Sequence, residues 1–214
     1  MKAARFLLAP LSLLVAGCVS GEVRKEAPVV EMKARAPKPT EARKKVAIVD
    51  FSDKTEYGRG RLGTAAADIL ATYLVKSGQV RVIERQQMEK LLSEQKIEHS
   101  EVTDAATAVR LGKVLNVDLL VFGAVSNFGV RTQGTDVLVY QGKKQIAEST
   151  VDVRMVEVET AEVVYAETGR GGAERSTSGS LGLGGRMSYD ETLAGDSLRA
   201  AIVKMLDDML DRAG

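Results

Sequence analysis

The residues best suited to chemistry form a glycine-rich segment, Gly58-Arg59-Gly60-Arg61-Leu62-Gly63, with the G-x-G-x-x-G spacing of dinucleotide-binding loops. Such a loop joins a strand to a helix and holds a pyrophosphate at the helix N-terminus, and an acid about 20 residues later binds the ribose. Glu84 has that position. However, residues 52–57 separate the preceding strand from Gly58, whereas a dinucleotide loop turns directly off its strand. A nucleotide-dependent enzyme therefore stays only a third hypothesis.

Other groups capable of catalysis or metal binding are few. The chain has one His and one Cys, which leave a His-based triad or a zinc cluster almost nothing to build from. His99 lies in a polar connection and is expected to be a solvated loop side chain. Paired acids such as Asp207 and Asp208 fall on a helix, and nothing in the sequence indicates the burial that acid catalysis requires. The sequence thus predicts no enzyme, no catalytic residue, no metal ligand and no cofactor.

Charge and aromatic content exclude the nucleic-acid-binding proteins as a class. The chain carries 30 Lys and Arg against 29 Asp and Glu, with four Phe, five Tyr and no Trp. It therefore lacks both the basic stripe and the stacking side chains that such proteins use. Its 214 residues, 44% of them hydrophobic, suit one medium globular domain with appendages.

The amino terminus has the pattern of a secretory signal peptide over residues 1–17. Basic residues precede an apolar run that is too short to cross a bilayer as a helix. The run ends in Leu14-Val15-Ala16-Gly17-Cys18, which resembles the signal box of bacterial lipoproteins. That resemblance implies lipidation of Cys18, and Val19 after it implies transfer to the outer membrane. The alternative is an ordinary signal peptide with an incidental Cys. Acylation would anchor the protein without a spanning segment, leaving the domain in the periplasm.

Proline content divides the remainder of the chain. All four prolines precede residue 40, and residues 18–44 combine three of them with mixed charge and no sustained apolar periodicity. Such a segment cannot bury a core, so it is predicted to be a lipid-anchored flexible tether. The folded domain is predicted over 45–214.

Apolar periodicity predicts a βαβα start to this domain. Residues 45–51 and 80–83 are short β-branched runs typical of strands. Between them, apolar residues at helical spacing over 62–74 predict a helix that Gly78 ends. Residues 85–95 predict a second helix. A third helix capped at Thr103 or Asp104 and a strand over 118–125 complete an α/β layer.

The second half of the domain is predicted to be antiparallel hairpins, with the hairpin region at about 126–196. A turn at 142–144 is expected to lead into a long strand whose alternation shifts at 155–156, which predicts a bulge. Gly-rich residues 169–188 are expected to form a flexible loop or a poorly patterned hairpin. Residues 196–212 predict a closing C-terminal helix with an apolar stripe. The predicted class is α/β (α+β) with a mixed sheet.

Five stretches of the domain, together with Cys18, resemble the curli assembly and transport lipoproteins, the CsgG family with its holdfast-attachment relatives. They occur in the family's order and are VAIVDFSDKT (46–55), IERQ (83–86), LGK (111–113), DLLVFG (118–123) and VDVRMV (151–156). The resemblance implies a periplasmic α/β unit whose copies form a ring. It also implies hairpins, here about 126–154 and 166–196, that join neighbouring copies into an outer-membrane β-barrel exporting fibre subunits.

Two features of the chain depart from the family pattern. Spanning strands need an apolar outward face, whereas Lys143, Lys144 and Glu148 interrupt the first hairpin. The loop 52–61 is shorter than the family's channel-constriction loop, and Tyr57 is its sole aromatic residue. No pore residue is therefore carried over.

Two hypotheses remain open. In the first, the chain is an outer-membrane-anchored lipoprotein that works as a homo-oligomeric ring in export or assembly of surface or extracellular proteins. In the second, it is a non-pore periplasmic adaptor that docks on and regulates an envelope enzyme such as a cell-wall synthase. The character of 126–196 distinguishes the two.

Overall fold

The computed structural model describes residues 30–49, 51–57, 60–94, 105–137, 140–180 and 191–213. A six-stranded mixed sheet forms its centre, in the order β3-β1-β4-β5-β6. β1 (Lys44–Ile48) pairs in parallel with β3 (Val80–Val82) and with β4 (Leu119–Val137). β5 (Tyr140–Glu157) and β6 (Val163–Ser180) follow β4 as antiparallel strands, and the two-residue β2 (Ser52–Asp53) adds to β4. The predicted α/β class with a mixed sheet and antiparallel hairpins is confirmed.

Helices cover the two faces of the sheet. α1 (Arg61–Ser77) and α4 (Glu191–Ala213) lie on one face, and α2 (Arg85–Glu94) and α3 (Ala105–Leu115) lie on the other. Because successive side chains of a strand point to opposite faces, apolar β1 contributes to both hydrophobic cores. Its Val46 belongs to the core under α1 and α4, and Ala47 belongs to the core under α2 and α3.

The closing helix α4 confirms the predicted C-terminal element, although it begins at Glu191 rather than at 196. Its apolar stripe is buried against β5, β6 and α1, with Leu198 and Leu206 fully buried. The predicted end of α1 at Gly78 is also confirmed, since that glycine has a left-handed φ of 65° and its N–H donates to the carbonyl of Val75 at 3.1 Å.

The first hairpin differs from its prediction in the place of its turn. Residues 142–144 are in strand, paired with 133–135, and the last pair before the connection is Val137 with Tyr140. Only residues 138 and 139 separate the two strands, so the expected turn at 142–144 is wrong. Gly142 and the two lysines suggested a turn, but strand pairing on both sides of them decided the conformation. The predicted bulge is confirmed by a register shift between Met155 and Val156.

Of the two forms predicted for the glycine-rich segment after residue 168, the structure shows the hairpin. β6 continues without a break from Val163 to Ser180 and pairs with β5, so residues 169–180 form a strand and the predicted flexible loop is wrong for them, while 181–190 lie outside the described residues. Its glycines have a packing role: a Cβ on Gly169 would lie 2.5 Å from the carbonyl oxygen of Ala201, and one on Gly171 would collide with the backbone of α4 at Ala201 and Ser197. Glycine there allows α4 to rest directly on the sheet.

No helix among the described residues is long and apolar enough to cross a membrane.

Candidate functional site: the hairpin sheet and the N-terminal strap

The strands β4, β5 and β6 form a long antiparallel unit that we call the hairpin sheet. β4 has 19 residues and its two partners have 18 each, so the unit extends for about 60 Å. β4 pairs with β1 and β2 only as far as Val125. Beyond a register shift between Val125 and Asn127, it pairs only with β5. The hairpin sheet therefore continues beyond the parallel part of the fold.

Both long edges of the hairpin sheet are open. Within the described residues, the stretch of β4 after Asn127 has no partner on the side away from β5, and β6 has none along its whole length. At the other edge of the six-stranded sheet, the strand β3 has only three residues and offers little backbone for pairing. An open edge presents unpaired N–H and C=O groups and is a template for pairing with another chain. This geometry can hold two copies of a protein side by side.

The outer face of the hairpin sheet, away from α1 and α4, is charged. Arg131 Nη2 lies 2.9 Å from Glu148 Oε1, and Lys144 Nζ lies 2.6 Å from Glu174 Oε2, in two cross-strand ion pairs. The hydroxyl of Thr168 donates to Asp152 Oδ1 at 2.7 Å on the same face. These pairs are exposed and each contributes at most about 1 kcal/mol, but they keep the face polar. The outer face therefore suits water or a polar protein surface.

A groove of about 630 Å³ crosses this outer face near its junction with β2. Lys54, Asp152 and Arg154 line it together with the ring of Phe122. The Arg154 guanidinium lies 5.1 Å from the centre of that ring, in a cation–π contact. The charged side chains that line the groove are of both signs, so the groove offers no preference for an anionic or a cationic ligand.

The second feature of the site is an extended segment, residues 30–38, that we call the strap. The sequence predicts the strap to be part of a flexible tether, but the structure holds it against the domain. The N–H of Lys38 donates to the carbonyl of Gly78 at 3.1 Å, and the amide of Gln79 donates to the carbonyl of Ala36 at 2.8 Å. A Cβ added at Gly78 would lie 2.7 Å from that of Pro37. The strap thus packs where α1 ends and β3 begins.

Ion pairs fix the other part of the strap to the last turns of α4. The backbone N–H of Lys33 donates to both carboxylate oxygens of Asp207, at 3.1 and 3.2 Å. Arg35 donates to Asp207 Oδ1 and to Asp211 Oδ1, each at 2.6 Å, and to the carbonyl of Asp207 at 3.0 Å. Lys33 Nζ donates to Asp211 Oδ2 at 2.6 Å. Two acids one helical turn apart therefore bind two cations of the strap.

The four charged side chains of these ion pairs differ in burial. The side chains of Arg35 and Asp207 are only 15% and 11% exposed, whereas those of Lys33 and Asp211 are 61% and 47% exposed. Hydrogen bonds and charge from Lys33 and Arg35 lower the pKa of Asp211, and Asp211 and Asp207 raise the pKa values of the two cations. These shifts stabilise the charged forms of Lys33, Arg35 and Asp211, which favours the closed strap.

The glycine-rich segment that suggested a dinucleotide site has a structural role instead. Gly63 lies in α1 against Phe51, which precedes β2, and a Cβ on Gly63 would collide with the carbonyl of Phe51. A carboxylate already occupies the start of α1: Asp53 Oδ2 accepts the N–H of Leu62 at 3.4 Å, and its other oxygen accepts that of Thr55 at 3.0 Å. An anion held by the protein itself thus occupies the place that a pyrophosphate would take. These contacts disfavour the third hypothesis.

The remaining predicted residues lie partly outside the described residues. Cys18, His99 and the first two residues of the glycine motif, Gly58 and Arg59, belong to that group. The acid Glu84 is exposed at the start of α2, where its carbonyl accepts the N–H of Gln87 at 3.1 Å. Among the described residues no group of three or more His, Cys, Asp or Glu side chains is arranged to hold a metal ion.

Sequence reasoning missed the strap, although a signal was present. Lys33 and Arg35 are two residues apart in an extended segment, so both side chains project from one side of it. Asp207 and Asp211 are four residues apart in a helix, so they share one face. Complementary charges at these spacings fit each other, but Arg35 and Asp207 are 172 positions apart, so the sequence gives no local sign of the pairing.

Comparison with known proteins defines the class of this fold. The family model described as curli production assembly/transport component CsgG matches residues 28–213. The chain is also 33% identical over 166 residues to the Neisseria meningitidis serogroup B protein named "Putative lipoprotein NMB1126/NMB1164", a match that covers 75% of this chain and 67% of the relative. The chain belongs to the CsgG family. The matched range contains the whole strap, residues 30–38, so the strap is part of the family domain.

Solved structures resemble the chain more distantly. Lipoprotein GNA1162 from Neisseria meningitidis is 10% identical, with a TM-score of 0.45 over 79% of this chain and 97% of that one. The LpoB C-terminal domain from Escherichia coli is 13% identical, with a TM-score of 0.44 over 63% and 86% of the two chains. The PelC dodecamer from Paraburkholderia phytofirmans is 17% identical, with a TM-score of 0.40 over 87% and 94%.

Proposed function

We propose that this chain is an outer-membrane lipoprotein, anchored through Cys18, whose copies associate into a ring that takes part in export or assembly of surface or extracellular proteins. Membership of the CsgG family supports the envelope role. The observation that carries the ring is the pair of open edges on the hairpin sheet, β4 after Asn127 and the whole of β6. The protein turns over no substrate in this proposal.

Edge pairing supplies the mechanism of assembly. The two open edges lie on opposite sides of β5, so β6 of one copy can pair with β4 of the next. Such a contact is heterologous, because each copy uses two different surfaces, and heterologous contacts that close produce rings. Backbone hydrogen bonds along the edges would provide affinity without a large apolar interface.

The mass of the full-length, lipidated protein in mild detergent tests the ring directly. Light scattering coupled to size exclusion should show one homogeneous species of several copies. A monomer at working concentration would contradict the ring.

A disulfide tests whether the open edges form the contact. Gly129 of β4 and Gly172 of β6 both pair with Glu148, so they share one rung of the sheet. A side chain on Gly129 would meet nothing within 4 Å, and one on Gly172 would come no nearer than 3.7 Å to the carbonyl of Ala147. Within one copy they are two strand spacings apart, about 10 Å, which is too far for a disulfide. The double variant Gly129→Cys/Gly172→Cys should therefore form covalent multimers on oxidation, and each single variant should not.

The adaptor is the second candidate, and the charged outer face of the hairpin sheet favours it. Arg131, Lys144, Glu148 and Glu174 make that face unsuitable for lipid and suitable for a polar partner surface. In this function the hairpin sheet stays outside the membrane and docks on an envelope enzyme. A monomeric protein whose binding to an envelope synthase is lost on reversal of Arg131 and Lys144 to Glu would support it.

A further inference from the structure

We infer that the strap is a latch that sets how far the domain can move from its lipid anchor. The inference rests on one part of the proposed function, the anchoring through Cys18. The closed state is the one that the structure shows, with Lys33 and Arg35 bound to Asp207 and Asp211. The open state releases residues 33–43 to the tether.

The latch is built from two separate attachments. One is the ion cluster on α4, and the other is the pair of hydrogen bonds that join Ala36 and Lys38 to Gln79 and Gly78. The strap buries only a small apolar surface: Ala34 and Ala36 are small, Val30 is 36% exposed, and Met32 is only partly buried. Most of the attachment comes from charge-assisted bonds, which are stronger than the neutral hydrogen bonds at Gly78 and Gln79. Removal of the charges should therefore leave an attachment too weak to hold the strap, and open it without disturbing the hydrophobic cores.

Covalent geometry gives the size of the effect. With the latch closed, 15 peptide units join Cys18 to Lys33, and a chain of that length spans at most about 50 Å. With the latch open, 26 units join Cys18 to the first residue of β1, Lys44, and span at most about 90 Å. The latch thus removes almost half of the reach, which raises the effective concentration of the domain near the membrane.

Alternative uses of these residues fit the structure less well. The acids Asp207 and Asp211 alone would suggest a cation site, but four described cationic or N–H groups of the strap already occupy their oxygens. The strap ends at Lys38, whose N–H donates to the carbonyl of Gly78, so its direction is fixed at one end where α1 meets β3 and at the other end by α4. A device that holds a tether explains both attachments.

The test uses full-length lipidated protein with the latch opened from either side. The variant Lys33→Ala/Arg35→Ala removes the cations, and Asp207→Asn/Asp211→Asn removes the acids while leaving the strap sequence unchanged. The matched control is Lys38→Ala, which removes one cation of the same strap whose side chain makes no ion pair within the described residues. Circular dichroism of all three should match wild type if the cores are intact.

Hydrogen exchange measures the latch itself. The N–H groups of Lys33 and Lys38 are bonded to Asp207 and to Gly78, so both should be protected in wild type and in Lys38→Ala. In either open variant the exchange of residue 33 should be at least about tenfold faster. Equal protection in the open variants would overturn the latch.

Energy transfer measures the reach. A donor dye is attached at Glu159→Cys, an exposed position in the turn after β5, and the vesicles that carry the protein contain acceptor lipids. The efficiency of energy transfer from the dye to the lipids is measured. Transfer should fall in both open variants and stay at the wild-type level in Lys38→Ala. Unchanged transfer in variants whose strap exchanges freely would show that another contact holds the domain, and would overturn the inference. The oligomeric mass of the same samples is read separately, so failure of the ring and failure of the latch are distinguishable.

Discussion

At the residue scale, neighbouring glycines of β6 have opposite roles. Gly171 faces α4, where a Cβ would collide with the backbone of Ala201 and Ser197, whereas a Cβ on Gly172 would come no nearer than 3.7 Å to its neighbours. We expect Gly171→Ala to lower the free energy of unfolding by about 1–3 kcal/mol or more, because α4 must move away from the sheet. Urea denaturation checks it, with Gly172→Ala as a control that should stay within about 0.5 kcal/mol of wild type. Equal effects of the two substitutions would mean that α4 does not rest on Gly171.

At the element scale, α4 closes the hydrophobic core under the sheet. Leu206 is fully buried in it, next to Met205 and Met209 of the same helix, which are at most 7% exposed. Leu206→Asp places a charge in that core and should cost about 3–5 kcal/mol, enough to unfold a domain of marginal stability. Thermal denaturation checks it against Lys204→Asp, an acid added at an exposed position of the same helix. A Leu206→Asp variant that melts like wild type would contradict the packing of α4.

At the scale of the whole molecule, acid should weaken the attachment of the strap to α4. Its cations lower the pKa of Asp211 below the ordinary 3.8, so the folded state binds this proton less readily than the unfolded state does. The contribution of Asp211 is therefore complete above the ordinary carboxyl pKa and is lost as pH falls through the lowered value. We expect the strap to stay closed from neutral pH down to about pH 4 and to open in stronger acid. Hydrogen exchange at residue 33 as a function of pH checks this, and opening between pH 7 and 5 would require a different titrating group.

Much of the fold was readable in the sequence because local patterns and tertiary structure agree. The apolar runs of β1 and the start of β4, the helical spacing in α1 ended by Gly78, and the shifted alternation at Met155 and Val156 all predict what is observed. Where the local sequence pattern and the tertiary structure disagree, strand pairing and packing determined the conformation. The lysines after Gly142 lie in strand because β4 and β6 pair with them on both sides. Residues 169–180 lie in strand because they pair with β5, and Gly169 and Gly171 leave room for α4.

The sequence by itself determined the α/β order of elements and the CsgG resemblance that the family match confirms, and it predicts the lipoprotein-type start. These properties depend on residue types and on spacings within a few turns or strands. Only the tertiary structure decided that, within the described residues, the hairpin sheet has two open edges and that the strap is closed on α4. An open edge depends on which strands are neighbours, and the pairing of Arg35 with Asp207 joins parts of the chain far apart in sequence, so neither has a local pattern from which it could be read.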